Sequence, residues 1–379
     1  MQDIFLLLLP FTNALVAPFM FFPFITLKAL SLRVLTALFL IFGVKEFNIN
    51  FKDKIFISTL LFLISSLLST IFSLTPYRSF WGNAERMDGF LSLFIYFILF
   101  LVLREIFLTD KEKIVIYLNS FIIFGIVATL GVLPKWLSDI SLRPEGIMGN
   151  GAYMGIVGMC TFFLSLILLE LNFKAKNEFQ KVLAYLGIIF GFLLLIIAQT
   201  RSAFLGFIAG IFIYGLLKLP TKGKIILTLL ILIVFLLLGT LNPQSLPLPI
   251  LSRVSEILHG QITGSALTRL TVWKMFLQTL KEKPFFGYGL ELSPYIFGKY
   301  FNPHLFEIEK AIFDRAHNKY VELLATQGIF GLVTYLFIYL AVFYLLAKLY
   351  RQKEFVPSVA SFFIAFAVNN FFIFDIQYT

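Results

Sequence analysis

The chain has 379 residues, 59% of them hydrophobic and 14% charged, with a mean hydropathy of +0.91; a soluble domain of this size has no way to hide that much apolar surface from water. Its formal net charge of +10 reports, in so apolar a chain, membrane topology and anionic lipid rather than nucleic acid. The single cysteine, Cys160, excludes a disulfide or a cysteine metal site within the chain and reads as a small buried apolar residue.

The apolar residues come in runs of about 17 to 25, the length that crosses a ~30 Å hydrocarbon core as helix. Long continuous runs exclude barrel strands, which are short and alternating. The fold class is therefore all-α: a polytopic integral membrane protein with about 11–12 transmembrane helices. In chain order the spans are expected at 3–22, 26–43, 55–74, 90–108, 114–133, 147–171, 182–198, 202–218, 224–241, 328–348 and 355–374. The first run lacks a basic flank and a small-residue cleavage site, and so reads as a retained helix rather than a signal peptide. The chain stops just after the last run, which leaves room for a truncated end or a further span.

Basic residues in the connecting loops set the orientation. One set of loops holds Lys45, Lys52, Lys54, Arg104, Lys111, Lys113, Lys174, Lys176, Lys181, Lys218, Lys222, Lys224, Lys348, Arg351 and Lys353. The opposite short loops hold only Arg78, Arg86, Lys135, Arg143 and Arg201. The positive-inside rule places the richer set, and the N-terminus, in the cytoplasm and faces Arg201 outward.

This division gives N-terminal membrane helices over 1–241, a large external loop over 242–327 and C-terminal membrane helices over 328–379. The external loop opens with "NPQSLPLPI" and contains all three histidines, His259, His304 and His317. Two helices are expected there. "TRLTVWKMFLQTLKEKP" carries Leu270, Trp273, Leu277 and Leu280 at helical spacing and stops before Pro284. "AHNKYVELLATQG" has the same habit and leads into the next span.

The external face collects arginines. "TPYRSFWGNAERMDG" supplies Arg78, Glu85, Arg86 and Asp88, "SLRPEGIMGNG" supplies Arg143, Glu145 and Asn150, and the long loop supplies Arg269, Arg315, His317 and Asn318. Arg201, in "IIAQTRSAFLGF", stands between two spans with almost no loop to lift it into water. A snorkelling, helix-capping arginine is one reading. The other is an anion site at the membrane boundary, because a guanidinium offers a fixed planar fork to phosphate and the amides of the following helix point at the same anion. An anion at that depth is a lipid phosphate. Arg78, Arg86, Arg143, Arg315 and Asn318 are the substrate-binding candidates. His317 is the candidate acid or base, since imidazole takes a proton near neutral pH. The three histidines lack metal-ligand spacing, and no Walker A, Rossmann or G-x-S-x-G pattern is present.

Three stretches then add up. "TRSAFLG" resembles the T-R-[SG]-x-x-x-G element of the O-antigen ligase and O-antigen polymerase family. "RLTVWKMFLQTLKEKPFFGYGLE" is similar to its R-x-x-x-W segment with a K-P-x-x-G-x-G ending, and "AHNKYVELLATQGIFGLVTYL" to its H-N-x-[YF]-[LV] element with the G-[IL]-x-G-L span that follows. "SFWGNAERMDGF" resembles an earlier segment of the ligase-like members. The likeness covers roughly residues 70–374, with the ligase/polymerase region at about 182–374.

The resemblance implies a metal-independent glycosyltransferase without a cofactor in a bacterial inner membrane, with its active site on the periplasmic side. It implies an undecaprenyl pyrophosphate-linked glycan as donor and a hydroxyl of lipid A-core or of a growing glycan as acceptor. By the same resemblance the catalytic residues are Arg201, Arg269 and His317. The shared motifs leave open O-antigen ligase, O-antigen or exopolysaccharide polymerase and protein O-oligosaccharyltransferase. A polysaccharide-lipid transporter, a cell-wall glycan polymerase with an acidic catalytic residue, and a membrane scaffold are more distant alternatives. Because two arginines can balance the charge of a pyrophosphate leaving group, transfer is expected to run at full rate in excess EDTA; activity lost to chelator and restored by magnesium or manganese would contradict the expectation.

Overall fold

Lipid offers a backbone no water to bond, so long apolar runs close their hydrogen bonds within themselves as helix. In the computed structural model the chain is helical, with no strand among the described residues, which are 2–42, 47, 50–171, 177–246, 248–260, 265–308 and 312–373. Lys45, Lys174, Lys176 and the end of the chain after 373 lie outside them. The helices are α1 (Gln2–Phe11), α2 (Thr26–Phe42), α3 (Lys54–Ile71), α4 (Pro76–Trp81), α5 (Phe90–Thr109), α6 (Glu112–Ser138), α7 (Gly151–Leu171), α8 (Glu178–Ala198), α9 (Arg201–Lys218), α10 (Thr221–Thr240), α11 (Pro249–Leu258), α12 (Ser265–Leu277), α13 (Ser293–Lys299), α14 (His304–Ile308), α15 (Lys319–Leu349) and α16 (Val356–Asn370).

Eight of the described helices, α3, α5 to α10 and α15, are long and apolar enough to cross a membrane, against eleven expected. The first run accounts for one difference. It breaks after α1, at Phe11, in a stretch that carries Pro10, Pro18 and Pro23; proline removes a helix donor and crowds the preceding turn. Ten residues of helix reach only ~15 Å, half the hydrocarbon thickness. α2 and α16 form at their expected places but have 17 and 15 residues.

The chain divides into two compact units. One comprises Met1–Ile114, Thr263–Leu345 and Asn370–Tyr378; the other comprises Val115–Ile262, Leu346–Asn369 and Thr379. In the second unit α7 is buried along most of its length. It meets α8 where Gly158 and Gly191 let the backbones approach, and α9 through Met159, Phe162, Phe163 and Ala203. α10 instead presents Ile225, Ile226, Leu229, Leu230, Ile233 and Leu237 outward, the composition that suits contact with lipid.

In the first unit α12 packs against α13 and α14. Its buried stripe is Thr268, Val272, Met275, Phe276 and Thr279, while Leu270 and Leu277 stay exposed. The helix expected from the leucine spacing exists, but it is turned to a different face, because the core it joins holds Tyr288, Leu292, Ile296, Phe297 and Ala316. The second expected outer helix is the beginning of α15, which continues into the membrane through a kink at Gly328 (φ +68°).

The kink has a partner. The segment "PFFGYG" runs alongside it, with Ile329 N–H donating to Pro284 O (2.8 Å), Tyr288 N–H to Ala325 O (3.1 Å) and Gly289 N–H to Thr326 O (2.8 Å). Gly287 sits at φ +67°, and a Cβ there would stand 2.3 Å from the Thr326 carbonyl carbon. The first glycine of the K-P-x-x-G-x-G ending is thus required by backbone-to-backbone approach, and the second, Gly289 (φ +111°), by the Ser73 and Ser79 side chains against it. Gly287→Ala meets both a left-handed φ and a steric block, and is expected to destabilise the protein by about 1–3 kcal/mol, read as a lower thermal unfolding midpoint in detergent.

Candidate active site

Each unit carries one cluster of polar groups. In the second unit the cluster is built on the two-residue break between α8 and α9. A helix C-terminus leaves carbonyls without partners, and the helix that follows leaves amides without partners. Gln199 reverses the chain in the left-handed region (φ +49°), and Thr200 is extended. The freed carbonyls are taken by arginines: Arg143 Nε donates to Ala198 O (2.9 Å), and Arg253 Nη1 to Gln199 O (2.9 Å). Arg143 Nη2 also donates to Thr200 Oγ1 (3.1 Å), whose hydroxyl donates to Gly151 O (2.9 Å). Gln199 Nε2 donates to Ile140 O (3.0 Å) and Leu142 O (2.9 Å), which fixes the 139–145 loop against the break.

Arg201, half-buried, is the first residue of α9, and Thr200 gives that helix no side-chain cap. Three guanidiniums therefore gather at one helix junction. Burial lowers the pKa of Arg143, the charges of Arg253 and Arg201 lower it further, and Glu145 opposes them. Arg201 feels Arg253 and Glu256. Such mutual repulsion is relieved by an anion, and phosphate suits the fork. The structure thus brings together the expected Arg143 and Arg201 and adds Arg253, whose position inside the proline-opened loop gave no signal of its own.

In the first unit the cluster surrounds the turn before α15. Arg315 is buried and pairs with Glu291 Oε1, with Glu322 Oε1 (3.3 Å) and with Asp88 Oδ2 (3.6 Å). Burial would lower its pKa, but the three carboxylates outweigh burial and raise it well above the ordinary value. Glu291, at φ +63°, keeps Oε2 buried and without a partner. Glu322 Oε2 accepts the Ala316 N–H (2.7 Å), and Ser293 Oγ donates to its other oxygen. Trp273, from α12, donates Nε1–H to Ala316 O (2.9 Å). Asn318 is buried and caps α15, accepting from Tyr320 N–H (3.0 Å) and Val321 N–H (3.1 Å).

His317 stands between these anchors in the left-handed region (φ +54°). Its Nδ1 lies 3.3 Å from Arg315 O, and Phe313 meets its ring edge-on. With Nδ1 carrying the hydrogen toward that carbonyl, Nε2 is the proton-accepting nitrogen. Burial lowers the imidazole pKa and the Arg269 charge lowers it further, while the Arg315 carbonyl, Asp314 and Glu322 oppose them. These influences together favour the neutral imidazole, the form a base requires.

The other candidates of this unit lie around that turn. Arg86 pairs with Asp314 (2.6 Å) and Glu85 (3.5 Å), and Arg78 is exposed on α4. Arg315 and Asn318, expected to bind substrate, are engaged inside the protein by carboxylates and by helix capping. Glu291, Glu322, Asp314 and Trp273 are the neighbours that sequence reasoning passed over, although all four stand within or beside the motifs. The remaining histidines are elsewhere: His259 is bonded to Ser255 O (2.9 Å) and His304, exposed, to Glu307 Oε2 (2.7 Å). Among the described residues no group of three or more His, Cys, Asp or Glu could hold a metal ion.

Comparison with known proteins adds two findings. A curated protein of Haemophilus influenzae, named only "Uncharacterized protein", is 24% identical over 371 residues, covering 91% of this chain and 86% of its own length. Residues 186–336 match the family model described as "O-Antigen ligase", a stretch that contains Arg201, Arg253, Arg269, Glu291, Arg315, His317 and Glu322. Over that stretch the chain resembles the O-antigen ligase family.

Proposed function

We propose that the protein transfers a glycan from undecaprenyl pyrophosphate to an acceptor hydroxyl on the external side of the bacterial inner membrane. The N-terminus is cytoplasmic in this reading, as the excess of basic residues in the alternate loops requires. The observation that carries it is His317: a half-buried imidazole in a left-handed turn, its pKa lowered by burial and by the Arg269 charge. A base beside a cation suits a reaction in which a hydroxyl loses a proton while a phosphate-bearing group gains charge.

The acceptor oxygen attacks the anomeric carbon of the donor sugar. Its proton passes to Nε2 of His317, and the bond from that carbon to the pyrophosphate oxygen breaks. The electron pair departs on undecaprenyl pyrophosphate, whose growing charge Arg269 balances. One such displacement inverts the anomeric centre. Arg201, with Arg143 and Arg253 around it, is assigned to a lipid phosphate. Arg86 and Arg78 remain candidates for substrate contact, and the acceptor class is a hydroxyl of a glycolipid core or of a growing glycan.

His317→Ala and His317→Gln are expected to bind lipid-linked donor as wild type does and to lose transfer by ~10²–10⁴-fold in single-turnover assays. In the wild type, protonation removes the base, so the rate falls as pH drops. Because the imidazole pKa is lowered, that acid limb lies below the ordinary histidine value of about 6.5. Normal turnover by both variants, or donor binding lost in proportion to rate, would refute the assignment. Arg201→Ala is expected to lose transfer while still inserting and folding, and Arg201→Lys to recover little, because a point charge does not reproduce the fork.

A further inference from the structure

The turn that carries His317 is held in an unusual way. A non-glycine residue in the left-handed region costs about 1–3 kcal/mol and persists only where its surroundings over-determine it. Here the residue before it, Ala316, is gripped on both sides of its peptide plane-bearing backbone: its N–H by Glu322 Oε2 (2.7 Å) and its carbonyl by Trp273 Nε1 (2.9 Å). The residue after it, Asn318, caps α15. Glu322 also reaches Arg315 with its other oxygen (3.3 Å), so one carboxylate holds both residues that precede the histidine. Glu322 is itself buried, in the first turn of α15, and Ser293 Oγ bonds to it from α13. Both of its oxygens are therefore in use, and neither is free to act on substrate.

We propose that Glu322 is the positioning residue of the site, with Trp273 as its counterpart across Ala316: together they impose the left-handed turn at His317 and so aim Nε2 at the acceptor hydroxyl. The inference rests on His317 acting as base. It gives work to two residues that the reaction itself does not need, one of them the tryptophan of the R-x-x-x-W segment. A side chain that merely filled space would need neither a carboxylate nor an indole N–H at these two points.

The charges facing His317 are Arg269 from α12, Asp314 and Arg315 from its own loop and Glu322 from α15, with Arg86 bound to Asp314, and Asp88 and Glu291 bound to Arg315. Charge and geometry at Glu322 can be separated within this set. Glu322→Gln removes one of the two negative charges acting on His317 and replaces one oxygen by a donor facing a donor. Glu322→Asp keeps the charge, but it is one methylene too short to serve both Ala316 N–H and Arg315.

The experiment measures, for the full-length protein in detergent or nanodiscs, donor binding, single-turnover transfer across pH and thermal unfolding for Glu322→Gln, Glu322→Asp and His317→Ala. Glu322→Gln is expected to bind donor normally, to transfer ~10- to 100-fold more slowly, as a misaligned base does, and to move the acid limb to lower pH. Glu322→Asp is expected to lose a similar factor with the limb in place. A folded Glu322→Gln with wild-type rate and limb, or one whose donor binding falls with its rate, overturns the proposal. If Glu322→Gln does not fold, Trp273→Phe decides: it removes the N–H donor while keeping an aromatic ring, and wild-type transfer by it overturns the proposal. His317→Ala separates the two levels. Normal transfer by that variant refutes the base itself, whereas an inactive His317→Ala beside normal Glu322→Gln and Trp273→Phe refutes only the positioning role.

Discussion

Arg315 is the charge on which the polar part of the first unit depends. Its guanidinium is buried, and three carboxylates from three separate stretches meet on it: Asp88 from the loop before α5, Glu291 from the segment after the paired glycines, and Glu322 from α15. Two of the carboxylates stand at the polar ends of apolar helices, Asp88 just before α5 and Glu322 in the first turn of α15. Ionic closure does there what apolar burial does along the membrane helices. Removing one partner of a buried ion pair typically costs about 3–5 kcal/mol, because the remaining charge is stranded. A well-packed apolar replacement of the whole cluster can equal its stability, so what the ions contribute is direction. They fix which backbone faces which, and His317 inherits its place from that arrangement.

The arginine cluster of the second unit uses the opposite chemistry. Arg143 and Arg253 are tied by backbone carbonyls at the end of α8 rather than by carboxylates. A guanidinium held by a neutral carbonyl keeps its full charge for a ligand, while one held by three carboxylates has none to spare. The contrast separates two kinds of arginine that share a face in the sequence. Arg315 belongs to the architecture, whereas Arg143 and Arg253 are bonded to neutral carbonyls beside Arg201. Their preorganisation comes from the helix break itself, since carbonyls freed at the end of one helix orient side chains beside the open amides of the next.

The sequence was a good guide wherever a single physical cost dominated. Long apolar runs have no stable form in lipid except helix, so α3, α5 to α10 and α15 were legible from composition. Where two costs competed, reading failed: the first run is apolar enough to span, but it breaks near its prolines, and α12 is helical at the expected place yet turned to another face by the aromatic core it joins. The same holds at the site. Arg201 and His317 stood out because a charge or an imidazole is costly in such a chain without a reason. Glu291 and Glu322 did not, since an acid after a glycine turn or in the first turn of a helix is ordinary. Their meaning lies in contacts with Arg315 and Ala316, and only Arg315's distance of seven residues from Glu322 hinted at one of them. Asn318 was noticed for its place beside the histidine, and its cap on α15 accounts for it.

The seam between the paired-glycine segment and the kink of α15 has a consequence for modularity. A helix interrupted near a membrane boundary has peptide groups that need partners, and here Ala325 O, Thr326 O and Ile329 N–H find them in residues 284–289. The membrane helix and residues 284–289 are therefore joined by main-chain bonds. Residues 284–289 grafted elsewhere without the α15 kink would leave their half of the pairing behind.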